Sequence, residues 1–170
     1  LKEVERLFVS AFQYRMVSDV PVGLFLSGGY DSSVVAAILQ SNSTQKIKTF
    51  TIGFHEKKWN EAPDAKKIAE HLGTEHNEYY CTTKEAQDIF PRLADIYDEP
   101  LGDHSGIPTT LVSEFARKQV TVSLSADGGD EIFAGYSRYD FLQNVNNVLK
   151  KQPEILLKIG KGISNFSINA

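Results

Sequence analysis

Within one short stretch, Val22 to Ile38, the chain changes its apolar rhythm twice. Val22–Leu26, introduced by Pro21, is an unbroken apolar run, too short for a helix and suited to a buried strand. Ser27-Gly28-Gly29-Tyr30-Asp31-Ser32 interrupts it, and Ser32–Gln40 resumes with the spacing of a helix. Strand, tight polar turn and helix in direct succession open a crossover unit, and a right-handed crossover returns the chain parallel to itself. The same alternation runs on. Residues 2–17 place Val4, Leu7, Phe8, Ala11, Phe12 and Val17 on one face of a helix. Lys46–Phe54 alternates as a second strand, Glu61–His71 reads as a helix capped at Gly73, and Glu75–Cys81 as a third strand. Lys84–Tyr97 is expected to be a helix ended by Asp98-Glu99-Pro100, and Pro108–Lys118 another. Val120–Leu124 follows as a fourth strand and Ser125–Glu131 as a polar loop; the remainder reads as helical, interrupted near Pro153. The expected fold class is therefore α/β, a Rossmann-like parallel sheet with helices on both faces.

In such sheets ligands lie beyond the carboxyl ends of the strands, where strand order reverses. Two glycine-containing loops, Ser27–Ser32 and Ser125–Glu131, follow the first and fourth strands. If those strands are neighbours at the reversal, both loops line one crevice. Composition narrows the ligand. The net charge is −4, and from Glu85 to Asp103 six acids face only Arg92, which argues against nucleic acid. A lone cysteine, Cys81, excludes an internal disulfide and fits a reducing, cytoplasmic setting. No apolar run approaches the roughly 18–20 residues of a membrane span.

Gly28 and Gly29 lack Cβ, so the backbone there can take positive φ and approach a ligand closely. Several amides can then converge on one point, reinforced by the positive end of the following helix. Asp31 is out of place in an anion seat unless a cation intervenes, and Mg²⁺ held between carboxylate and phosphate oxygens resolves the conflict. Other phosphate loops fail at identifiable residues. Gly23 and Gly28 have the Walker A spacing, but Gly29 stands where lysine is required, and Ser27 lacks the flanking pattern of a hydrolase elbow. The purely structural reading is a strand–helix turn with Asp31 or Ser32 as N-cap. The second loop, LSADGGDEIFAGYSRY, repeats the design and adds Asp127, Asp130 and Glu131. A structural turn has no need of three carboxylates beside two glycines, whose repulsion costs stability unless a cation or a proton transfer uses them. Asp31 and Asp130 together can grip a Mg²⁺–polyphosphate, leaving Asp127 to face whatever the nucleotide activates. His55, His71, His76 and His104 show no metal-ligand spacing.

Ser27–Ser32 resembles the S-G-G-x-D-S pyrophosphate loop of the N-type ATP pyrophosphatases, and LSADGGDEIFAGYSRY resembles the second signature of the synthetase domain of glutamine-hydrolysing asparagine synthetases. YDEPLGD (Tyr97–Asp103) and DAKKIAEHLGTEHNE (Asp64–Glu78) look like further segments of that family, in consistent order from Val4 to Tyr139. The first motif alone would also admit GMP synthetase or tRNA-thiolating enzymes; the pair is specific. The resemblance implies a partial PP-loop synthetase domain over residues 1–140 and a helical extension of it over residues 141–170. A glutaminase domain and a pyrophosphate-gripping lysine are expected to lie outside this chain, so the fragment should bind ATP·Mg²⁺ weakly without turnover.

The resemblance further implies that Ser27, Gly28, Gly29, Asp31 and Ser32 hold the ATP pyrophosphate, and that Asp31 and Asp130 bind Mg²⁺. Leu26 and Ile52 fall where the base packs, with Ser125 and Ala126 near ribose and base, and Glu131 as a supporting partner. Asp127 matches the acid beside the acyl-adenylate, often Glu in the family; Ala126 stands where Gly is common, Tyr30 for a frequent Leu, and His104 for Pro. The implied activity activates a carboxylate, aspartate first, as an acyl-adenylate with release of pyrophosphate, and ammonia from glutamine then gives the amide. Asp31, Asp127 and Asp130 are the expected catalytic acids, and ATP, Mg²⁺ and small-molecule substrates the expected partners, with no nucleic acid or membrane. Alternatives are a β-lactam synthetase-like enzyme and a nucleotide-binding module without catalysis. Oligomeric state stays open, a homodimer included.

Overall fold

In the computed structural model, which describes residues 1–99 and 102–151, four runs extend: β1 (Val22–Phe25), β2 (Lys48–Phe54), β3 (Glu75–Cys81) and β4 (Val122–Leu124). All pair in parallel, in the order β3-β2-β1-β4. β1 lies between β2, with Leu24 opposite Thr49, and β4, with Leu24 opposite Leu124. Strands one to three step outward in one direction and the fourth returns to the other side of β1. The strand order therefore reverses between β1 and β4, as the two-loop expectation required.

The chain divides into two compact units, Leu1–Asp127 and Gly128–Ala170. The sheet belongs to the first. Side chains alternate along a strand, so β1 and β2 feed two separate cores. On one face Leu24 and Leu26 are buried with Val35, Ala36 and Leu39 of α2 (Tyr30–Ser41) and Ala65 and Ala69 of α3 (Ala62–Leu72). Phe12 and Met16 of α1 (Lys2–Met16) close that layer. On the other face Phe50 is fully buried against Val112, Ala116 and Val120, its ring 5.9 Å from Phe115 and nearly perpendicular to it. These partners come from α6 (Gly106–Arg117) and the turn after it.

The helix expected over Lys84–Tyr97 resolves into three pieces: α4 (Thr83–Ile89), a 3₁₀ turn (Phe90–Arg92) and α5 (Leu93–Ile96). Pro91 is the cause, because it removes a backbone donor and its ring crowds the preceding turn. The start of α4 is firmly set: Thr82 accepts from the Glu85 amide while Glu85 accepts from the Thr82 amide. The Thr82 and Tyr79 hydroxyls also donate to Glu85, holding its carboxyl down at about 2. α3 ends where expected, at a left-handed Gly73. Among the described residues no helix is long and apolar enough to cross a membrane.

His76 on β3 bonds Thr49 through Nδ1 at 2.9 Å, while its buried Nε2 has no partner. Protonation would add a second donor with nowhere to go. Burial accordingly lowers its pKa from 6.5, a shift that Lys66 favours and that Glu78 and Glu70 only partly oppose. A base depressed in the folded state is charged first in the unfolded chain, so this contribution to stability is present above about pH 6.5 and is lost as pH falls below it. Urea midpoints at neutral and mildly acid pH should therefore converge when His76 is replaced by glutamine; an unchanged pH slope would show that His76 does not carry it.

Candidate active site

β1 ends at Phe25, and the chain then turns sharply into α2. The Leu26 amide still donates to the Phe50 carbonyl at 2.9 Å, and the Leu26 carbonyl accepts the Thr51 hydroxyl. α2 begins earlier than expected, at Tyr30, with Gly29 as N-cap and no side-chain cap. Asp31 and Ser32 therefore both sit in its first turn rather than capping it. The Ser32 hydroxyl is turned inward: it accepts from the Ser27 amide at 3.1 Å and lies 2.9 Å from Ser27 Oγ. Ser27 Oγ accepts from the Gly29 amide at 3.2 Å, and Ser33 Oγ donates to the Gly29 carbonyl at 2.6 Å. The first amides of α2 have no acceptor inside the helix and form the positive end of its dipole. Asp31, half-buried, places a carboxylate in that first turn.

The glycines do not use the dihedral freedom open to them. Neither Gly28 nor Gly29 has positive φ. Gly28 sits in a tight space: a Cβ there would lie 3.1 Å from Asp64 Cβ and 3.6 Å from the Glu61 carbonyl, at the start of α3. The turn is thus pressed between two helix N-termini.

After β4, Ala126 is half-buried against the Leu24–Leu39 core, whereas Ser125 and Asp127 are exposed and joined by a hydrogen bond from Ser125 Oγ to the Asp127 carboxylate. Because β4 pairs with β1, the segments Ser27–Ser32 and Ser125–Asp127 leave neighbouring strand ends at the reversal. Leu26 and Ile52, expected near the base, have their side chains on opposite faces of the sheet. Leu26 is 2% exposed and spent in the α2–α3 core, while Ile52 packs on the opposite face of the sheet against the Phe50 and Cys81 clusters. Period-two alternation puts neighbouring register positions on different faces, so the two side chains do not converge.

The second unit carries the remaining acids. Gly128 has φ of +95°, a left-handed conformation that favours glycine, and it starts α7 (Gly129–Phe133) with Asp130 and Glu131 in the first turn. The Asp130 carboxylate lies against Gly135, where any Cβ would overlap it. Glu131 accepts the Tyr136 hydroxyl, which holds Glu131 below the usual carboxylate range and raises Tyr136 to about 12. The Arg138 guanidinium stacks 4.2 Å from the Tyr136 ring centre, and Tyr139, in α8 (Ser137–Lys150), lies 5.6 Å from the same ring. Glu131 thus has a local structural partner.

Among the described residues no three His, Cys, Asp or Glu side chains converge as a ready-made metal cage. Hard carboxylate oxygens suit Mg²⁺, and with few protein donors such an ion takes its remaining oxygens from phosphate and water. Cys81 is 1% exposed and its thiol pKa is raised by burial, so it is a packing residue. Pro100 and Leu101 of the YDEPLGD segment lie outside the described residues. Thr51 escaped the sequence reading, since a hydroxyl in a β-rich run carries no signal of its partner.

A family model described as asparagine synthase matches residues 3–166. A relative from Methanocaldococcus jannaschii is 44% identical over 157 residues, 88% of this chain and 30% of its own length. One from Bacillus subtilis is 38% identical over 139 residues, 82% of this chain and 22% of its own. Both carry the words "asparagine synthetase [glutamine-hydrolyzing]" in their names. The chain thus spans less than a third of the relatives it matches. Among solved structures, a glutamine-dependent NAD⁺ synthetase from Acinetobacter baumannii in complex with ADP superposes with a TM-score of 0.56 at 22% identity, covering 79% of this chain and 27% of that one. An NH₃-dependent NAD synthetase from Campylobacter jejuni gives 0.54 at 17%, covering 80% and 60%. At these identities the likeness is one of fold.

Proposed function

Because the chain belongs to the asparagine synthase family, we propose that it forms the nucleotide-binding part of an ATP-dependent ligase that converts the side-chain carboxylate of aspartate to an amide. The observation that carries this reading is the pairing of β1 with β4, which sets the Ser27–Ser32 turn and the Ser125–Asp127 segment at adjacent strand ends. The turn's amides and the α2 N-terminus receive the β- and γ-phosphates. The substrate carboxylate attacks the α-phosphate, pyrophosphate departs, and ammonia displaces AMP from the acyl-adenylate. Fixed donors around the leaving pyrophosphate stabilise its charge. Asp127, exposed beside the turn, orients the incoming ammonia and takes its proton. The motif assigns Mg²⁺ to Asp31 and Asp130, and when bound the ion would neutralise charge on the phosphates. Ammonia is drawn from glutamine through a glutaminase domain of the full-length protein, and the reaction runs in the cytoplasm.

Exchange of labelled pyrophosphate into ATP by the full-length chain, across a panel of carboxylic acids, tests this directly. Exchange that depends on aspartate is expected. ATP binding without exchange for any acid would point instead to a nucleotide-binding module.

A further inference from the structure

We infer that Thr51 is a positioning residue of the nucleotide site, fixing the Leu26 carbonyl at the start of the turn without touching substrate, while Ser32 holds the Ser27 end of the same backbone. This rests on the pyrophosphate role proposed for the turn. Thr51 is 4% exposed, on the sheet face occupied by Leu24 and Leu26. Valine would fill that space equally well, and a buried hydroxyl is costly unless it is bonded. Its bond goes to the Leu26 carbonyl, one residue past the end of β1 and immediately before the turn. Ser32, 7% exposed, acts from the other end. Its oxygen accepts the Ser27 amide and approaches the Ser27 and Gly29 carbonyls at 3.3 Å each.

The loop is therefore shaped before any phosphate arrives, and amides aimed in advance bind an anion without first paying to order the backbone. The same geometry is compatible with the pyrophosphate role that resemblance implies for Ser32. Its oxygen accepts the Ser27 amide, which leaves the hydroxyl proton, 3.3 Å from each of two carbonyls, available to a phosphate oxygen. Asp31, Gly29 and Tyr30, which are not buried, are the residues left facing outward.

Three variants of the full-length chain separate this role from ordinary packing. Thr51→Val keeps shape and volume but loses the hydroxyl; Thr51→Ser keeps the hydroxyl but loses the methyl. Binding of inorganic pyrophosphate in the presence of Mg²⁺, measured by calorimetry, should weaken about tenfold in Thr51→Val. It should return to near wild type in Thr51→Ser, while the urea midpoint follows the methyl instead. In ligand-free Ser32→Ala, the Ser27 amide should exchange with solvent faster. Equal affinity in wild type and Thr51→Val, or equally weak binding in Thr51→Ser, would overturn the role of Thr51. Unchanged exchange at Ser27 would overturn that of Ser32. Wild-type protein that binds no pyrophosphate would overturn the nucleotide reading itself, and the exchange measurement would still report on the turn.

Discussion

Asp31→Asn is expected to abolish pyrophosphate exchange by the full-length chain, a loss of at least about a hundredfold, the scale seen when one fixed electrostatic contact to a developing charge is removed. The substitution is nearly isosteric. Asp31 is half-buried in the first turn of α2 and no hydrogen bond from its side chain holds the turn together; Ser27, Ser32 and Ser33 do that. Its stability cost is confined to a favourable interaction with the helix dipole, about 0.3–1 kcal/mol. Activity and stability should therefore part company: exchange lost, thermal midpoint little changed. An unaltered exchange rate would remove Asp31 from the metal-binding role. A collapse in thermal stability would mean that the carboxylate supports the turn.

Phe50→Ala should produce the largest loss of stability. The ring is fully buried and touches the α6 side of the core through Val112, Ala116, Val120 and Phe115. Truncating a buried phenylalanine costs about 3–5 kcal/mol, against a total of roughly 5–15 for a typical domain. The damage should also reach the site. The Phe50 carbonyl receives the Leu26 amide, and the next residue is Thr51, so disorder in β2 loosens both anchors of the turn. Urea unfolding should show a sharply lower midpoint and pyrophosphate binding should weaken with it. A loss under about 1 kcal/mol would mean that the cavity collapses freely, contrary to the rigid helix–sheet packing described above.

How much was legible beforehand follows from the range of each interaction. β3 spans the expected residues and α3 stops at the expected glycine; a left-handed cap is written in a few adjacent positions. The break in the Lys84–Tyr97 helix was also readable in principle, since Pro91 lies in its middle. Its consequence depends on how far neighbouring packing sustains the helix on either side, which adjacent residues do not state. The Ser27–Ser32 turn is recognisable as a motif, and its glycines are free to take positive φ, a freedom that neither uses. Only the tertiary structure shows how closely Asp64 and Glu61 approach Gly28.

By itself the sequence determined the alternation of strands and helices, the two glycine-rich acidic loops, and through them the family. These are local or motif-borne properties, set by side-chain periodicity and by chemistry within a few residues. Tertiary structure decided that β4 returns to pair with β1, that Leu26 and Ile52 face opposite ways, and that Thr51, about two dozen residues from the loop, holds its carbonyl. Each of those depends on which strands become neighbours and in what register, and a shift of one residue would send every side chain to the other face. Such pairings are chosen by the summed burial of both faces of the sheet, a quantity that no single stretch of the chain contains.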